Sequence, residues 1–221
     1  MEQKEALILG ATGLVGGHLL HLLLEDYSYS SVTALVRRPL GQSHDKLKEK
    51  IVDFDALEDS GDAFKAHHIF CCLGTTMKQA GSKDAFRKVD HDYVVRAGKL
   101  AKAGNAEKFL VVTALGAKKS SGVFYNRVKG EVEEDLASLG IPALHIFRPS
   151  LLLGMRQETR FLEGLGASLF RGVAFLMKGP LKKVAPIEGA LVAKAMVHNA
   201  KMSDVRGTLV HPSGEMQGLS K

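Results

Sequence analysis

The chain has 221 residues, of which 45% are hydrophobic and 24% charged, so it can bury a substantial core and is not an intrinsically disordered or low-complexity chain. Its net charge of +6 favours anionic partners. The Lys and Arg are scattered, only 6% of residues are aromatic and Trp is absent, so a phosphate-bearing small molecule is preferred over nucleic acid as the anion.

In chain order, Ala6-Leu7-Ile8-Leu9 reads as a short buried strand ending at Gly10, and Leu14 to Leu24 carries apolar residues at helical spacing. Val32–Val36 is a second strand, Ile51-Val52 a weaker third and His68–Leu73 a fourth. Asp84 to Ala103 reads as a helix stopped by Gly104-Asn105, Lys108–Thr113 as the fifth strand, Val123–Leu139 as a helix and Ala143–Phe147 as the sixth strand. Ala190–Ala200 is one more helix, and residues 213–221 are expected to fray. Strands alternating with helices imply an α/β fold: a Rossmann-like, doubly wound parallel sheet with helices on both faces. The expectation is a single NAD(P)-binding domain over 1–221, with residues of about 150–190 as a small substrate-side extension.

Cys71 and Cys72 are adjacent within an apolar run and read as strand residues of a reducing compartment, not as a disulfide framework. The N-terminal residues lack a basic-then-apolar leader, and no apolar run reaches the roughly 18 residues of a membrane span. A cytoplasmic chain without stable membrane insertion is expected.

Gly10-Ala11-Thr12-Gly13-Leu14-Val15-Gly16 follows a strand and opens a helix. One glycine permits the tight turn, one lets the backbone approach a pyrophosphate and one lets helix pack close to strand, while the helix N-terminus offers its amides to phosphate. An NAD protein is expected to carry an acidic residue roughly 20 residues further on. Here Asp and Glu are absent between Asp26 and Asp45, and Arg37-Arg38 end the second strand. A guanidinium fork suits a 2′-phosphate, so NADP(H) is the preferred cofactor and NAD(H) the alternative. Asp53 is placed either to bond an adenine amino group or to cap a helix. Leu73-Gly74-Thr75-Thr76 is expected beside the cofactor's ribose and phosphates.

Tyr125 and Lys129 are one helical turn apart and share a face. A nearby ammonium stabilises a phenolate, so Tyr125 is the candidate general acid/base and Lys129 its partner and a holder of the nicotinamide ribose. Thr113, at the end of the fifth strand, offers a hydroxyl to the substrate oxygen.

Together with Phe147-Arg148-Pro149-Ser150, these residues resemble an atypical short-chain dehydrogenase/reductase, close to the NAD(P)-binding epimerase-like proteins. Cys72–Thr76, Val89-Asp90-His91-Asp92-Tyr93 and Val128-Lys129-Gly130-Glu131-Val132-Glu133 are similar to the Tat-interacting-protein oxidoreductase-like subgroup. The resemblance implies an NADP-preferring Rossmann domain with Tyr125, Lys129 and Thr113 in the acid/base, partner and hydroxyl roles, and with Arg148 among the cofactor contacts. Thr113 stands where the family usually has Ser, and Asp90 where extended relatives commonly have Asn.

His18 and His21 share a helix face, but without a third ligand no metal site is expected. The apolar, glycine-containing stretch Phe161–Met177 reads as packing over the substrate cleft, with a lid, a homodimer surface or a membrane-touching helix as alternatives. The function expected is an NADP(H)-dependent oxidoreductase acting on a small carbonyl or alcohol. The alternatives are a nucleotide-sugar epimerase or dehydratase and a non-catalytic NADP(H)-sensing regulator.

Overall fold

The computed structural model describes residues 3–153, 185–203 and 205–218. The run before the glycine turn forms β1 (Lys4–Leu9), followed by α1 (Leu14–Glu25), β2 (Tyr29–Val36) and β3 (Leu47–Ile51). A kinked 3₁₀ segment (Phe54–Lys65) leads to β4 (His68–Cys71). The short helices α2 (Met77–Ala80) and α3 (Lys83–Arg87) come next, then a π-helical turn (Lys88–Asp92) and α4 (Tyr93–Ala103). The chain continues through β5 (Lys108–Val112), α5 (Phe124–Ser138) and β6 (Ala143–Arg148). The small pair β7 (Leu152–Leu153) and β8 (Ile187–Glu188) precedes α6 (Gly189–Lys201), β9 (Gly207–Pro212) and α7 (Ser213–Gly218).

Seven strands form one sheet in the order β3-β2-β1-β4-β5-β6-β9, and every pairing in it is parallel. This is the expected Rossmann-like architecture. Alternate residues of β1 feed opposite cores. Ala6 and Ile8 pack with Leu19, Leu23 and Met196 on the side of α1 and α6, whereas Leu7 and Leu9 pack with Phe109, Val132 and Leu136 on the side of α4 and α5. Burial on both faces is why the strand is apolar throughout instead of alternating. Strand order reverses between β1 and β4, which opens a crevice beyond the C-terminal ends of the strands.

Three expectations need correction, and one strand was not expected. The third strand starts upstream of the expected Ile51-Val52 and ends at Ile51; its Lys48, Glu49 and Lys50 sit at an exposed sheet edge where polar side chains face water, which hid it. The helix expected over 84–103 contains the π turn. β9, also an edge strand and largely exposed, went unannounced for the same reason as β3. Residues 213–218 form α7, with Ser213 and Met216 buried, and do not fray. The stretch Phe161–Met177 and most of the expected extension lie outside the described residues. Among the described residues, no helix is long and apolar enough to cross a membrane.

Two core histidines make stability depend on pH. His68 accepts or donates a 2.9 Å bond with the Tyr29 hydroxyl, His145 is fully buried on β6, and burial pushes both imidazoles down to about 4. Unfolded, each titrates near 6.5. As pH falls through this window the unfolded chain takes up protons that the folded chain refuses, so stability present above pH 6.5 drains away toward pH 4. Urea unfolding at a series of pH values is expected to show a loss on the order of 3 kcal/mol per histidine across that range, reduced in His68→Gln and His145→Gln. An identical pH slope in both variants contradicts this.

Candidate active site

At the end of β1 the backbone makes contacts that leave no room for side chains. Gly10 has φ +85°, and a Cβ there would lie 2.5 Å from the Cys72 carbonyl oxygen. A Cβ on Gly16 would lie 2.0 Å from the Gly10 carbonyl oxygen, which is how closely the first turn of α1 rides over the strand end. The Gly13 N–H donates to the Gly10 carbonyl at 3.0 Å and closes the turn. Gly13 caps α1 without a side-chain hydrogen bond, and no acidic residue occupies the first helical turn, so the positive end of the helix faces the crevice uncompensated.

Two adjoining cavities occupy the crevice. Gly10, Thr12, Gly13, Val36, Arg37, Leu73 and Gly74 line one together with Phe54 and Tyr93. Gly13, Leu14, Val15, Leu73, Gly74 and Thr75 line the other, of about 620 Å³, together with Thr113, Tyr125, Lys129 and Ser150. Gly13, Cys72, Leu73 and Gly74 are common to both, so one continuous cleft runs from Arg37 to Tyr125. Gly16 lies beneath the cleft and serves packing. Such a cleft, with its glycine cradle at the switch point, fits an extended dinucleotide.

Around Tyr125 and Lys129 the structure adds a partner that sequence reasoning did not assign. The Lys129 Nζ lies 2.8 Å from Asp90 Oδ1, and this ion pair is almost wholly buried. Asp90 Oδ2 accepts the Thr75 N–H at 2.8 Å. The π turn brings Asp90 inward, and such single-turn bulges recur at functional sites. Tyr125 packs its ring against Phe86, 5.5 Å between centroids. Burial pushes the Tyr125 phenol above its ordinary value, Lys129 pulls it back down, and Asp90 pushes it up again.

Thr113 belongs to a second buried polar group. Its hydroxyl donates to Glu133 Oε1 at 2.5 Å, and Arg148 grips the same carboxylate through Nε at 3.0 and 3.2 Å and through its terminal nitrogen. Thr113 therefore lines the cavity with its proton already committed, and its oxygen is left to accept. Arg148 does not line the cleft, because the buried carboxylate of Glu133 claims its guanidinium. Glu133 was legible only as an acid one turn beyond Lys129 on α5. Arg38 is exposed and lies outside the cleft lining, and Asp53 accepts the Asp55 N–H at 2.9 Å as the cap of the 3₁₀ segment. Of the paired arginines, Arg37 alone borders the cleft.

Residues 10–138 match the NAD(P)H-binding family model. A rat relative, Protein HTATIP2, is 41% identical over 174 residues, covering 77% of this chain and 72% of its own. The chain is an atypical short-chain dehydrogenase/reductase of the HTATIP2-like group. Protein FMP52, mitochondrial, from Debaryomyces hansenii is 35% identical over 203 residues, 88% of this chain and 87% of its own. In fold, this reductase-family member is similar to an oxidoreductase of the short chain dehydrogenase/reductase family from Burkholderia thailandensis, with TM-score 0.71, 16% identity and coverage of 99% and 94% of the two chains. It is likewise similar to MoeE5 in complex with UDP-glucose and NAD, with TM-score 0.68, 16% identity and coverage of 93% and 74%. The relatives overturn the cytoplasmic expectation: FMP52 proteins from Debaryomyces hansenii, Scheffersomyces stipitis and Candida glabrata are named mitochondrial. Composition and the absence of a membrane-length apolar run do not specify a compartment.

Removing Glu133 leaves Arg148 and the Thr113 hydroxyl without their acceptor. Glu133→Ala is expected to lower unfolding free energy in urea by about 2–4 kcal/mol, and Glu133→Gln, which keeps an acceptor oxygen, by less. Equal losses in the two variants contradict the assignment.

Proposed function

We propose that the chain is an NADP(H)-dependent oxidoreductase acting on a small carbonyl or alcohol. The observation that carries this reading is that Tyr125 and Lys129 share one cavity with the glycine turn at Gly13–Val15. In this reading Gly10, Thr12, Gly13, Leu14 and Val15 hold the diphosphate, and Leu73, Gly74 and Thr75 lie along the nicotinamide half. Arg37, at the end of β2, meets the 2′-phosphate, with Arg38 adding charge at longer range. When bound there, a nicotinamide dinucleotide would supply hydride-transfer chemistry at the substrate carbon.

The chain's own residues then handle the proton and the substrate oxygen. Tyr125 exchanges its phenolic proton with that oxygen. Lys129 is fixed beside it by Asp90. Thr113 donates its hydroxyl hydrogen bond to Glu133, so its contribution is an acceptor oxygen that orders a substrate hydroxyl or the Tyr125 phenol. Leu151 and Leu152, with Ala114 and Leu115, give the substrate end an apolar wall suited to a small organic carbonyl.

Tyr125→Phe is expected to lower NADPH oxidation with a panel of small carbonyl compounds by about 100-fold or more while coenzyme affinity stays within a few-fold. Binding without turnover of any carbonyl, in the unaltered protein, would instead support the nucleotide-sensing reading. Arg37→Ala is expected to weaken NADPH about 10- to 100-fold and NADH far less, by the loss of a charge-assisted contact to the 2′-phosphate. An equal loss for both coenzymes, measured by calorimetry, contradicts the 2′-phosphate assignment.

A further inference from the structure

The ammonium of Lys129 is not a lone cation. Asp90 sits against it at 2.8 Å, both are almost fully buried, and the second carboxylate oxygen is pinned by the Thr75 amide at 2.8 Å. Gly74 borders the pair: a Cβ there would lie in ordinary contact, 3.4 Å from Asp90 Oδ1 and 4.0 Å from Lys129 Nζ. Among the described residues, the charged and titratable groups packed around the pair are few. Asp90 comes from the π turn, Tyr125 from α5 and Cys71 from β4, whose thiol burial pushes up to about 12 so that it stays neutral. Glu133, one turn further along α5, is engaged by Arg148.

A lone ammonium beside a phenol favours the phenolate, whereas an ammonium tied to a carboxylate presents a dipole whose field falls off faster. We propose that Asp90 is a positioning residue that fixes Lys129 in place and cancels part of its field at Tyr125, so that the phenol meets a carbonyl substrate already protonated. This rests on the oxidoreductase reading above and adds to it the protonation state in which Tyr125 meets the substrate. In carbonyl reduction the carbonyl carbon would be reduced by the hydride of the reduced dinucleotide, which would be oxidised. The Tyr125 O–H bond breaks, its proton goes to the substrate oxygen, and water returns a proton to the phenolate. The raised phenol of Tyr125 agrees with this, and Asp90 is one of the groups raising it.

Phenolate absorbance of the coenzyme-free protein tests the proposal without reference to turnover. Subtracting the titration of Tyr125→Phe, which retains the other three tyrosines, isolates Tyr125. In the unaltered protein Tyr125 is expected to ionise above the ordinary phenol value. In Asp90→Asn, whose amide oxygen still accepts from Lys129 but carries no charge, the midpoint is expected to fall by about one pH unit or more. In Asp90→Glu it is expected to stay near that of the unaltered protein. A Tyr125 midpoint below about 8 in the unaltered protein overturns the proposal, and this result does not require any Asp90 variant to fold. So does a midpoint unmoved or raised in folded Asp90→Asn. NADPH calorimetry on the same samples separates the two readings: absent binding defeats the oxidoreductase assignment, whereas an unmoved midpoint with binding intact defeats only the role of Asp90.

Discussion

Everything at this site depends on how closely the end of β1 is approached from two sides, by the first turn of α1 and by the backbone after β4. The Gly10 carbonyl lies where a side chain on Gly16 would begin, and the Cys72 carbonyl lies where a side chain on Gly10 would begin. Three backbone segments thus converge without intervening side chains, and that convergence points the amide end of α1 into the crevice. The sheet order does the rest, because the reversal between β1 and β4 keeps any crossing connection away from that point. The apolar faces of α1 and α6 hold the helix down. Gly189, at the start of α6, admits Leu14 so closely that a Cβ there would lie 2.9 Å from the leucine side chain.

On the other side of the crevice two buried ion pairs organise the chemistry. Asp90–Lys129 ties the π turn to α5, and Glu133–Arg148, joined by Thr113, ties α5 to β5 and β6. Buried charges cost desolvation, and neither pair is an economical way to hold helices against a sheet. Their value lies in precision: each fixes one residue that faces the cavity, Lys129 in the first case and Thr113 in the second. The outcome is a site in which the ammonium is paired, the Thr113 hydroxyl is already donating, and the Tyr125 phenol faces the same cavity.

The glycine turn, the strand ends and the Tyr125/Lys129 pair were legible because each depends on local spacing. Gly10, Gly13 and Gly16 are set by one strand–turn–helix unit, and Tyr125 and Lys129 by one helical turn. Asp90 and Glu133 were not assigned roles, because their meaning depends on which elements pack together. An acid in Val89-Asp90-His91 is ordinary helix surface until the π turn rotates it inward. Arg148 read as a cofactor contact from its strand-end position, and only the facing carboxylate of α5 shows where its guanidinium goes. The edge strands β3 and β9 escaped because exposure dilutes their apolar pattern. The compartment is not legible in composition or hydropathy, which carry no address.

Calorimetric titration of the folded protein with NADPH, set beside the Gly16→Val variant, tests the central constraint most directly. The account predicts saturable, one-to-one binding to the unaltered chain and at least about a tenfold loss in the variant, whose side chain would push α1 off the strand end. No measurable affinity of the folded, unaltered protein for either reduced nicotinamide coenzyme, or undiminished binding by a folded Gly16→Val variant, would contradict it.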